Sequence, residues 1–158
     1  VADAEPRAKA YTEVLKAVGE GPRCRPFSDR DHPSGEMLKR AHDAFKAGDV
    51  EALFGMMTDD CVWHMPGNNM LSGDFVGRDA ILQSFGTLQR SVDEYWAWPL
   101  DYFGSDHHVV LVAQVKARRG DRTLDVKECL LWRLEGEKLA EVWHMALDET
   151  AWDAFFSD

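Results

Sequence analysis

The chain has 158 residues, 45% of them apolar, which suits one packed domain and excludes a disordered chain. A formal net charge of −10 argues against nucleic acid and anionic membrane surfaces as partners, because phosphate binding needs a Lys/Arg face. Three widely spaced cysteines, Cys24, Cys61 and Cys129, form no CxxC pair, so neither a zinc knuckle nor a disulfide framework is indicated.

Residues 4–18 place Tyr11, Val14, Leu15 and Val18 at helical spacing, and the Gly/Pro-rich stretch 19–33 reads as a linker. Residues 1–33 are therefore expected to be a helical arm, and 34–158 the main domain. "VADAEPRAK" lacks a signal-peptide core and no apolar run is long enough to span a bilayer. A soluble, reduced, cytoplasmic protein is expected. The main domain opens with Ser34 as the N-cap of a helix over 35–47 that stops at Gly48. Its face carries Leu38, Ala41, His42 and Phe45. Asp49 caps a second helix, "VEALFGMMTDD", followed by a strand over 61–66 and a polar loop, "GNNMLSGDFVG". A third helix, "RDAILQSFGTLQRSV", buries Ile81, Phe85 and Leu88.

From Asp93 the pattern is almost all strand. "EYWAWPLDYF", "HVVLVAQVKAR", "RTLDVKECLLWRL" and "KLAEVWHMAL" are separated by turns, and a short helix closes the chain. The basic run "KARRGDR" reads as a solvated hairpin tip. Helices first and an antiparallel meander after them predict an α+β fold.

The hairpin over 107–134 can be phased from its own alternation. Leu111, Ala113, Val115 and Ala117 are apolar while Gln114, Lys116 and Arg118 are polar, so odd positions face inward there. In the next strand Leu124, Val126, Leu130, Trp132 and Leu134 put even positions inward. That places Glu128 on the buried face, where a carboxylate needs a partner or a proton.

The stretches "AFKAGDVEALFGMMTDDCVWHMPG", "SGDFVGRDAILQSF" and "EKLAEVWHMALDETAWDAFF" carry a resemblance to the SnoaL-like family. That family is part of the nuclear transport factor 2 and ketosteroid isomerase superfamily. The resemblance covers roughly residues 35–156. It implies a strongly curved antiparallel sheet wrapped around N-terminal helices into a cone with an apolar pocket. It also implies a homodimer through the outer sheet face, and Trp63, Trp143 and Met145 are expected to lie there. Similarity to the superfamily's epoxide hydrolases, through Met65-Pro66 and the lysine of "EKLAEVWHM", implies that His64 and His144 look into the cone. The Asp-Arg-Asp set of those hydrolases is absent, which makes epoxide hydrolysis the lesser alternative. A non-catalytic binding or interaction module is another.

The expected catalytic group is then His64, His144 and Glu128. His42, Phe45, Trp98, Trp132 and Val142 are expected to bind substrate. Histidine suits proton transfer near neutral pH, and the family's chemistry implies cyclisation, isomerisation, dehydration or hydrolysis of a small apolar carbonyl or polycyclic compound. No metal or organic cofactor is expected.

Overall fold

The computed structural model describes residues 32–157; the expected N-terminal helix, most of the linker and Cys24 lie outside them. Helix α1, Pro33–Ala47, starts with Pro33 in its first turn. Its cap is His32 rather than the expected Ser34: His32 Nδ1 accepts from the Ser34 backbone N–H at 3.2 Å. Gly48, at φ 69°, closes the helix in the left-handed conformation that glycine adopts without cost.

Asp49 caps helix α2, Val50–Gly55, by accepting from Ala52 N at 3.0 Å. This helix is shorter than the sequence suggested. The alternation of Met57, Cys61 and Trp63 already belongs to strand β1, Met57–Met65. The loop expected after it contains strand β2, Gly73–Val76, a four-residue edge too short for periodicity to reveal. Helix α3 follows, Gly77–Ser91. Strands β3 (Glu94–Gly104), β4 (His108–Arg119), β5 (Arg122–Glu135) and β6 (Lys138–Ala146) come next, then helix α4, Glu149–Phe156.

The six strands form one curved sheet in the order β2-β1-β6-β5-β4-β3. All neighbours are antiparallel except β1 and β6, which run parallel. Register shifts at Met57/Val62, Pro99/Asp101 and Arg133/Leu134 mark irregularities of the kind that bend a sheet. The expected phases hold in the central hairpin. Leu111, Ala113, Val115 and Ala117 are buried on β4, as are Leu124, Val126, Glu128, Leu130 and Trp132 on β5.

Helix α1 packs on β3 and β4, and α3 packs on β1. Close approach is built in where Gly104, ending β3, meets the start of α1: a Cβ there would collide with the Ser34 hydroxyl. The core has two parts. One surrounds Leu38, Ile81, Leu111 and Trp132, and the other surrounds Val115, Trp152 and Phe156. Between them lies the site.

Candidate active site

Leu130 on β5 pairs directly with His144 on β6, so Glu128, two residues away on the same face, is the diagonal neighbour of His144. The side chains meet there, with His144 Nε2 2.9 Å from Glu128 Oε2. Each residue is only 4% exposed. The imidazole leans on the indole of Trp152, with ring centroids 4.6 Å apart. Trp152 is delivered by α4, whose first turn is fixed by Asp148 accepting from Ala151 N at 2.9 Å.

In the tautomer that donates Nε2–H to the Glu128 carboxylate, the imidazole lone pair lies on Nδ1, where a base would act.

The pair stands in the wall of a cavity of about 80 Å³ under α1 and α3. The surroundings are apolar, with Leu38, Phe45, Trp63, Phe85 and Leu111 among them. Into this wall are set three buried nitrogens with no hydrogen-bond partner among the described residues: His42 Nε2, Trp132 Nε1 and Trp152 Nε1. An unsatisfied buried polar group costs about 1–3 kcal/mol. Three around one apolar cavity point to a ligand that brings polar atoms of its own.

Two further groups have shifted protonation. Burial, then the Lys46 charge, lowers the His42 pKa, with Glu128 acting against them, so His42 stays neutral near pH 7. Burial, reinforced by Glu128, raises the Tyr95 phenol well above its ordinary range. Tyr95 is thus a permanent hydrogen-bond donor in the cavity wall.

His144, Glu128, His42, Phe45 and Trp132 all line the cavity, as expected from the sequence. Three other expectations need correction. His64 does not enter the cone, and Trp63 does. In the parallel β1–β6 register Trp63 stands beside inward Val142, and His64 stands beside Trp143. On the outer face His64 bonds Asp74 at 2.7 Å and Glu141 at 2.9 Å, stacked against Trp143. Inside, Trp63 meets Phe85 and Trp132 edge-on, at 5.1 and 5.3 Å.

Trp98 is also outside. It pairs with Gln114, an outward position, and lies parallel to Trp96 on the exposed surface. Val142 does face inward, but it is fully buried in the core behind the cavity wall. The sequence reading missed Tyr95 and Trp152. The pairing of Tyr95 with Ala117 and of Ala97 with Val115 fixes the inward phase of β3, a phase that Trp96 and Trp98 obscure in the sequence.

Residues 38–142 match the family described as "SnoaL-like domain". A curated relative, an uncharacterised protein of Mycobacterium tuberculosis, is 24% identical over 124 residues, covering 77% of this chain and 95% of the relative. Among solved structures, Bal32a from a soil-derived mobile gene cassette is 27% identical. It covers 81% of this chain and 99% of its own, with a TM-score of 0.75. A Jannaschia protein assigned as a SnoaL-like polyketide cyclase is 13% identical and shares the fold. It covers 87% of this chain and 99% of its own, with a TM-score of 0.66.

Proposed function

The chain belongs to the SnoaL-like domain family, and from that premise we propose that it is an acid/base enzyme of the cyclase, isomerase or lyase type. Its substrate is a small apolar carbonyl or polycyclic compound, and it works without metal or organic cofactor. The carrying observation is the buried His144–Glu128 pair in the wall of an apolar cavity.

His144 Nδ1 removes a proton next to the substrate carbonyl. Glu128 holds the tautomer and stabilises the imidazolium that forms. Tyr95 supplies a hydrogen bond to the oxygen on which negative charge develops. The apolar, buried surroundings strengthen each of these interactions. With His64 on the outer face, the catalytic group contracts to His144 and Glu128.

The test is exchange of the α-protons of 2-tetralone in D₂O, followed by NMR. Tetralone is a bicyclic ketone that reports proton abstraction without requiring the natural substrate. Exchange above the buffer rate, with a profile that titrates, supports the reading; exchange at the buffer rate opposes it. A non-catalytic small-ligand-binding module is the second reading, favoured by the three unpartnered nitrogens, which would serve a bound ligand equally well.

The outer sheet face exposes Trp96, Trp98, Leu100 and Met145 by 38% or more each, an apolar display that soluble monomers avoid. Its occupant in this reading is a second copy of the chain, as the family likeness implies. Among the described residues Cys61 and Cys129 are unpaired, and a cytoplasmic setting is part of this proposal. Among the described residues no helix is long and apolar enough to cross a membrane.

A further inference from the structure

The cavity is too small for the substrate class just proposed. A closed space of about 150 Å³ is what holds a single benzene ring, and this one offers about 80 Å³. Immediately outside it, between the end of α1, helix α2 and helix α3, lies a groove of about 620 Å³. Cavity and groove share five wall residues: Phe45, Leu53, Phe85, Leu88 and Tyr95. The partition between them is therefore made of side chains, with Phe45 and Phe85 in edge contact at 5.2 Å.

The two rings of this partition are not held alike. Phe85 is pinned on its other side by Trp63 at 5.1 Å, and Trp63 in turn by Trp132 at 5.3 Å. Phe45 ends this aromatic chain, with Phe85 as its one ring contact among the described residues; both rings of the partition are half-buried. It sits in the last turn of α1, where Gly48 N closes on its carbonyl at 3.1 Å. A side-chain rotation of Phe45 would open this partition on the α1 side without breaking the helix.

We infer that Phe45 is the movable leaf of a gate, and that cavity and groove form one continuous site for a neutral apolar ligand of at least two rings. The reacting end reaches His144, and the remainder lies in the groove between Val50, Phe54 and Leu82. The inference deepens the proposed function by setting the size of the substrate, and Phe45 becomes the residue that determines it.

The experiment is stopped-flow fluorescence on the full chain with N-phenyl-1-naphthylamine, a neutral multi-ring probe. In the unmodified protein the observed binding rate should level off with probe concentration, because gate opening limits it. Phe45→Ala should remove that plateau and speed entry about tenfold, the scale of one lost aromatic pair. Phe45→Leu, which keeps most of the packing, should fall between them.

Ala97→Phe, which fills the inner cavity from β3, should abolish binding in every background. Entry rates within twofold across the three Phe45 forms would overturn the gate. So would probe binding that survives Ala97→Phe. None of these readouts uses His144, so a working gate with no proton-transfer activity would sink the chemistry and leave this inference standing.

Discussion

His144 and Glu128 occupy diagonal positions on β6 and β5, and their side chains close to 2.9 Å in the buried wall of the cavity. Isolated, either charge would be costly there; together they place one proton between them. Glu128→Gln keeps the shape and a polar partner but removes the countercharge. The expected outcome is slower 2-tetralone exchange, because the imidazolium formed on proton uptake loses its countercharge, with a melting temperature near that of the unmodified chain. An unchanged exchange rate would assign Glu128 a structural role only.

On the outer face, His64 has a carboxylate at each ring nitrogen. Partial burial opposes its charge, but the bonds to Glu141 and Asp74 prevail and raise its pKa. The bond from His64, then that from Arg133, lowers the pKa of Glu141. The signs follow from linkage. Stability from His64 is fully present below its unfolded pKa of about 6.5 and is lost as pH rises through the raised folded value. Stability from Glu141 is present above its unfolded pKa of about 4.3 and is lost as pH falls through the lowered folded value. His64→Gln should therefore lower the melting temperature most between about pH 5 and 6, and least once the pH has risen past the raised folded value. Thermal melts of both proteins across pH test this, and an equal deficit at all pH values would contradict it.

Asp148 holds the first turn of the helix that carries Trp152. Asp148→Ala should cost about 1 kcal/mol, the usual cost of a lost N-cap. For a domain of this size that is about 3–5 °C in melting temperature. Calorimetry decides, and a change under 1 °C would mean that α4 is held by its buried aromatic face alone.

The outer indoles give an assembly prediction. Trp98→Glu, on a strand surface already 43% exposed, should leave the fold intact and convert a dimer to a monomer in light scattering. A protein that is monomeric before substitution at micromolar concentration contradicts the dimer.

The hairpin of β4 and β5 was legible from sequence because polar and apolar residues alternate cleanly there, and that alternation alone placed Glu128. His64 was misplaced because a Met-Pro likeness was followed where the strand's own rhythm disagreed. Cys61, Trp63 and Met65 form the apolar phase of β1, and His64 lies in the other. Trp98 shows the limit of hydrophobicity as a guide, since a surface-facing indole and a core-facing indole read the same in one strand. Its partner Gln114 settles the matter, but pairing registers are fixed by the whole sheet, including a shift at Pro99/Asp101. Strand β2 and the end of α2 depended on tertiary pairing with β1, which short segments do not announce.

The most direct measurement compares two histidine variants, His144→Asn and His64→Asn, in the 2-tetralone exchange assay, with melting temperatures recorded on the same samples. The two imidazoles lie on opposite faces of one sheet, so only one can touch a substrate in the cone. Exchange should fall about 100- to 10,000-fold in His144→Asn, the usual loss of one acid/base group, while His64→Asn stays within about threefold of the unmodified protein and loses only thermal stability. If folded His144→Asn keeps its rate, or if His64→Asn loses as much, the assignment of the chemistry to His144 is wrong.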